Sequence, residues 1–213
     1  MLADIELLAA RHHLAVLGGF AAEPKDDLPS GTRTLILLGP KEPGFWPHLI
    51  TQPEWNKPDP VDRWSQRVIG TMACDLGAQA LFPFGGPPWH PFYRWAIRSG
   101  RSWDSPVRLL VHDQAGLFVS FRGALALREA VQLPPAPPRP CDTCATKPCL
   151  NACPVGALTP AGYDLQNCHK FLDTVAGQDC MNKGCAVRGA CPVSLAYARM
   201  PEQSAYHMGQ FHK

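Results

Sequence analysis

Charged residues are sparse: Asp, Glu, Lys and Arg make up 18% of the 213 residues, against about 25% in an ordinary domain. No apolar run approaches the roughly 18 residues a membrane span needs, so no membrane partner is expected. The first residues carry Asp4 and Glu6 and lack the basic n-region of a secretory leader; a cytoplasmic location is expected. The formal charge of +2 leaves no broad basic face, which argues against nucleic acid as a partner. No G-x-G-x-x-G pattern supports a dinucleotide. No repeat recurs at solenoid periods. The hydrophobic share of 46% is too high for a disordered chain.

Proline and cysteine are abundant instead. The 23 prolines are roughly twice the ordinary share. Five of them fall in Leu133-Pro134-Pro135-Ala136-Pro137-Pro138-Arg139-Pro140, a stretch that favours extended polyproline geometry and excludes helix. It reads as a linker at 133–140 between a first unit, 1–132, and a second, 141–213. Cys74 stands alone among the nine cysteines; the other eight lie between Cys141 and Cys191. A chain of this length buries a core without disulfide staples. In a chain without an export signal such a concentration points to metal ligation.

The first motif is Cys141-x2-Cys144-x4-Cys149-x3-Cys153-Pro154. Zinc takes four ligands per ion, in paired knuckles separated by a longer spacer. Four closely spaced cysteines followed by proline instead match cubane iron–sulfur ligation, in which the fourth cysteine serves the other cluster. Soft thiolates suit that chemistry. Structural zinc and disulfides are the alternatives. The second set, Cys168, Cys180, Cys185 and Cys191-Pro192, is less regular but has the right count and also ends in Cys-Pro. Crossed ligation assigns one [4Fe–4S] cluster to Cys141, Cys144, Cys149 and Cys191, and the other to Cys153, Cys168, Cys180 and Cys185. A single cluster leaves four thiols spare. The second unit has only short helices, such as one over 168–175, and a core too small to fold without metal.

The first unit reads as a mixture of helix and strand. Ile5, Leu7, Leu8, Leu14 and Leu17 space as one helix face over residues 3–17. Thr34-Leu35-Ile36-Leu37-Leu38 suits a buried strand. Asp59 and Pro60 open a helix that Gly77 stops after about Leu76. Residues 107–112 and 117–127 flank Asp113-Gln114-Ala115-Gly116, a hairpin signal with Gly116 at positive φ.

Two resemblances join these readings. The Cys141–Pro154 motif, with the Val155-Gly156-Ala157-Leu158 that follows, resembles bacterial two-cluster ferredoxins. The segment from Leu110 to Leu125, with His112, Gly116, Phe118, Arg122 and Gly123, resembles the His-x3-Gly-x-aromatic-x3-Arg-Gly hairpin of the proteins that decyanate and dealkylate cobalamins. The order of the 34–38 strand and the 59–62 helix start follows that family too. The whole plan is similar to epoxyqueuosine reductases and reductive dehalogenases, which join a cobalamin-binding domain to a two-cluster ferredoxin domain. The resemblance implies an α+β fold: a nitroreductase-like, B12-processing-type domain followed by a ferredoxin-like one. It also implies a corrinoid as cofactor or substrate, a low-potential electron donor as partner, and an oxidoreductase that reduces cobalt or removes its upper axial ligand. A flavin in the same sheet layer ranks behind the corrinoid. The rivals are a ferredoxin-type electron carrier without corrinoid and a corrinoid-dependent reductase of a small organic substrate.

No catalytic residue stands out. Candidate corrinoid contacts are Arg122 and His112, and the loop at 82–92 with Phe84, Gly85, Gly86 and Trp89, where glycine lets backbone approach a flat ligand and aromatics pack on an apolar macrocycle. Against each stands a structural role: Arg122 as an edge-strand arginine in solvent, His112 as a strand-end histidine bonded to backbone, and the loop as rigid aromatic core. Cys74 is expected to be a buried, inert thiol, and His207 and His212 to pack in the C-terminal tail.

Overall fold

A computed structural model describes residues 1–213. The fold is mixed α and β with small sheets. In chain order the elements are α1 (Leu2–Arg11), β1 (Leu14–Ala21), β2 (Thr34–Pro40), α2 (Phe45–Leu49), α3 (Pro60–Asp75), β3 (Gln79–Leu81), α4 (Phe92–Arg98), β4 (Ser102–Asp104), β5 (Leu110–His112) and β6 (Gly123–Leu127). The cysteine-rich region follows with α5 (Pro140–Thr143), β7 (Leu158–Thr159), β8 (Gly162–Tyr163), α6 (Leu165–Leu172), α7 (Gln178–Lys183), α8 (Ala186–Gly189), α9 (Pro192–Ala196) and α10 (Pro201–Phe211). No helix is long and apolar enough to cross a membrane.

The chain divides into two compact units: Met1–Arg101 with Ser120–Pro137, and Ser102–Val119 with Pro138–Lys213. The return to the second unit falls inside the proline run. Residues 102–119 differ from the sequence reading, which gave them to the first unit. Their packing explains this: Val107, Val111 and Leu117 are buried in one apolar cluster with Cys149, Leu158, Val187 and Cys191. The excursion enlarges a core that the cysteine-rich segment could not build alone.

In the first unit an antiparallel sheet runs in the order β1-β2-β6-β3. Every residue of β2 is buried, as a central strand covered on both faces requires. β6 is equally buried. Helix α3 packs on β3 and β6, and α1 and α4 pack on β1. Along α3 the buried residues Val61, Trp64, Ser65, Val68, Ile69, Met72 and Ala73 form one stripe at helical spacing. Asp59 precedes α3 at φ 50° but makes no side-chain cap, and Gly77 leaves it at φ +58°. Cys74 falls off the stripe and is exposed, so the expectation of a buried thiol is corrected.

Two further expectations are corrected. The helix over 3–17 stops at Arg11; His13 turns at φ 53° and Leu14–Ala21 is a strand paired with β2. Leu14 and Leu17 are buried as strand residues, whereas Leu7 is exposed. The hairpin between 107–112 and 117–127 does not form as such. β5 pairs with β4, with Trp103 opposite Val111, and β6 belongs to the sheet of the first unit. The turn itself is present: His112 and Gly116 exchange backbone hydrogen bonds of 3.0 Å, with Gly116 at φ +56°.

Candidate metal centres

All nine cysteines are free thiols. Those of the second unit fall into two neighbour sets. Burial pushes the Cys141 thiol up from its ordinary pKa, and Cys191 and Cys144 add to the rise while Arg139 opposes it. Burial also raises Cys149, and the nearby Cys141, Cys191 and Cys144 add to the rise. Cys168 is raised by burial, against its hydrogen bond from Tyr163, with Cys185, Cys153 and Cys180 as neighbours. Cys180 is raised by burial too, opposed by a backbone hydrogen bond from Ala186, with Cys185 and Cys153 nearby. The sets are therefore Cys141, Cys144, Cys149 and Cys191, and Cys153, Cys168, Cys180 and Cys185. Each mixes residues from the 141–153 and 168–191 stretches.

No three thiols, imidazoles or carboxylates converge closely enough to hold a single ion. A cubane does not make that demand, because each of its irons takes one thiolate.

Short elements place the sulfurs. Cys141 lies on α5, Cys144 follows it in extended conformation, and Lys147 turns at φ 39° ahead of the single 3-10 turn that carries Cys149. Cys191 precedes α9, with Pro192 at its first turn. Cys153 leads into the turn at Gly156, φ +61°, and its Sγ accepts from Ala157 N at 3.2 Å. Cys168 lies on α6, Cys180 on α7, and Cys185 precedes α8.

The surroundings of each set fit an anionic cluster bound by thiolates. A cavity of about 450 Å³ is lined by Cys141, Cys144, Cys149 and Cys191, together with Ser105 and Val111. The buried Ser105 hydroxyl has no hydrogen-bond partner, and such an orphan marks room for a group that can accept from it. Arg139 lies beside Cys141. Around the second set, Arg188 is a cation depressed in pKa by burial, with Cys185 and Tyr163 opposing the shift; its guanidinium donates to Leu117 O. The Tyr163 hydroxyl donates to Cys168 Sγ at 3.3 Å, and burial followed by that contact pushes the phenol well above its ordinary pKa. Gln203 on α10 is fully buried and its side-chain amide is unpartnered; the next residue, Ser204, abuts Gly184, which precedes Cys185. Tyr163, Arg188, Arg139, Ser105 and Gln203 escaped the sequence reading. Arg188 alone left a signal there, as the one charged residue between Cys185 and Cys191.

The candidate corrinoid residues are not brought together as one group. His112 is fully buried in the second unit. Its Nδ1 accepts from Gln114 N at 3.1 Å and Ala115 N at 3.2 Å, and its Nε2 lies 3.2 Å from Asp113 Oδ1. It holds the turn, the role of a strand-end histidine bonded to backbone rather than that of a ligand contact. Arg122 belongs to the first unit, where Nη1 pairs with Asp62 Oδ1 at 3.4 Å and Nε donates to Phe121 O. It is neither an edge-strand residue nor bathed in solvent. The 82–92 loop lies at the surface, not in the core: Trp89 is 63% exposed, Gly85 faces open space at φ +83°, Phe84 packs on Phe82 at 5.3 Å, and a Cβ on Gly86 would meet Pro88 O. His212 packs by specific contacts, with Nδ1 2.6 Å from His169 Nδ1 and Nε2 2.9 Å from Asp173 Oδ1.

Compared with known proteins, the chain matches no family model, no curated protein and no solved structure.

Proposed function

We propose that the protein is a cytoplasmic iron–sulfur oxidoreductase that passes single electrons through two [4Fe–4S] clusters. The observation that supports this is the division of eight thiols into two neighbour sets of four, each drawing on both cysteine motifs. In this reading Cys141, Cys144, Cys149 and Cys191 hold one cluster, and Cys153, Cys168, Cys180 and Cys185 the other. When bound, the clusters supply one-electron chemistry at low potential.

The chain's own residues bind, shield and bias that chemistry. Val107, Val111 and Leu117 pack with Cys149 and Cys191, and Cys141, Cys153 and Cys185 pack against the same apolar cluster, which lowers the local dielectric. Arg139 and Arg188 place positive charge beside thiolates that must lose their protons to bind iron. Backbone N–H groups of Ala157 and Ala186 donate to the second set. The test is the iron and acid-labile sulfide of anaerobically prepared protein, expected at about eight each per chain.

A corrinoid is the electron acceptor we assign to the first unit, read as a B12-processing-type domain. The accessible ring of Trp89 and the open backbone at Gly85 support it. Anaerobic titration with cobalamin tests it. A shift to the base-off spectrum is the expected result. No shift at tens of micromolar cobalamin leaves a ferredoxin-type carrier for another partner.

A further inference from the structure

We infer that Tyr163 sets the reduction potential of the cluster held by Cys153, Cys168, Cys180 and Cys185, by donating a hydrogen bond to the Cys168 sulfur. The inference rests on the proposed reading of those cysteines as cluster ligands.

The geometry is built, not incidental. Tyr163 ends the two-residue strand β8, paired with β7 so that it stands opposite Leu158. The next residue, Asp164, caps α6 by accepting from Asn167 N at 3.0 Å, and its own N–H donates to Ala157 O. Asn167 in turn donates to Val155 O at 2.9 Å. Strand and helix are thus locked together where Tyr163 and Cys168 face each other, with Oη and Sγ 3.3 Å apart. On the other side the Tyr163 ring stacks on Phe211, at 6.3 Å and 12°, and Phe211 stacks on His169 at 4.6 Å. That stacking holds the ring where its oxygen lies within reach of Cys168 Sγ.

A hydroxyl facing a neutral thiol gains little. Facing a thiolate on iron, it makes a charge-assisted bond. Reduction adds one electron to the cluster and removes no proton from the tyrosine, so sulfur becomes more electron-rich while the O–H dipole stays in place. The bond strengthens on reduction and favours the reduced state, which raises the potential.

The experiment is an anaerobic redox titration, followed by electron paramagnetic resonance, of the full chain and of Tyr163→Phe, each with iron and sulfide measured. The variant is expected to keep both clusters and to reduce one of them about tenfold less readily, a fall of about 59 mV for one electron. The other cluster should hold its wild-type potential. A loaded variant with both potentials unchanged overturns the inference and leaves the cluster reading standing. A wild-type chain that takes up no iron overturns both. If Tyr163→Phe fails to load, 3-fluorotyrosine is incorporated in a chain with Tyr93, Tyr197 and Tyr206 replaced by Phe. The stronger donor keeps the ring and should raise the potential; no change overturns the inference.

Discussion

Cys149 and Cys191, one from each cysteine motif, are buried in the same apolar cluster with Val111 and Leu117. A chain that used its first four cysteines for one cluster would have no reason to bring Cys191 to Cys149. It would have as little reason to bring Cys153 near Cys168 and Cys180. Crossed ligation, as proposed, would give both proximities a purpose.

The crossing makes single substitutions diagnostic. Cys153→Ala should cost the cluster of the Cys168 set, although Cys153 belongs to the first motif by sequence. Cys191→Ala should cost the other. Each variant should lose about four of about eight irons and the resonance of one cluster only. Loss of the same cluster in both would refute the crossed sets.

Arg188 places a guanidinium beside Cys185 and Tyr163, in surroundings that disfavour its charge. That charge offsets the negative charge of a thiolate-bound cluster, and net charge is a main determinant of potential. Arg188→Gln should therefore lower the midpoint of the same cluster that Tyr163→Phe lowers, measured by the same titration. An unchanged midpoint in a loaded variant would remove Arg188 from the account.

The 102–119 excursion should act on the cysteine-rich unit. Leu117 is 1% exposed, its N–H donates to Ser194 Oγ at 2.8 Å and its carbonyl accepts from Arg188. Leu117→Ala removes a buried side chain at a cost of about 2–5 kcal/mol. The expected readout is faster loss of iron to a chelator. Gly116→Ala forces a side chain into φ +56° and against the Ser194 backbone, and should have the same effect. Unchanged iron retention in both would contradict this packing.

Histidines of the first unit set a pH dependence. Burial lowers the pKa of His48, helped by His13, His12 and Arg67. Burial likewise lowers His12, with Arg67 and Arg11 adding to it. The unfolded chain then binds more protons than the folded one below the ordinary histidine value of about 6.5. Stability therefore rises with pH across that window and is lost as pH falls from about 6.5 toward the depressed values. Glu54, held down by Arg67, adds a separate loss that begins only below the ordinary carboxylate value. Urea denaturation between pH 5 and 8 should show a falling midpoint toward pH 5, reduced in His48→Gln. A flat profile would contradict the histidine contribution.

Local signals made part of this fold legible. The Thr34–Leu38 run is a buried strand because every residue in it is apolar or small. α3 begins at Pro60, whose fixed φ suits a first helical position, and ends before Gly77, which leaves it at positive φ. The 3–17 helix failed because Leu14 and Leu17 fit a helical face and a strand equally, and only the pairing with β2 decides. The hairpin failed because the true partner of β5 is the three-residue Ser102–Asp104, too short to show a pattern. At the candidate site, the concentration of eight cysteines between Cys141 and Cys191 was legible in the sequence. Tyr163 was not, because its contact with Cys168 exists only in the folded chain, and the burial of Ser105 and Gln203 is likewise a product of tertiary packing. His112 was readable as a strand-end histidine bonded to backbone, whereas the pairing of Arg122 with Asp62 was not, because it joins positions 60 residues apart.

The central claim is tested most directly by iron and acid-labile sulfide, measured with the visible spectrum on anaerobically purified protein. Two clusters require about eight of each per chain, with a broad absorption near 400 nm that bleaches on reduction. Stable zinc with no absorption there would contradict it.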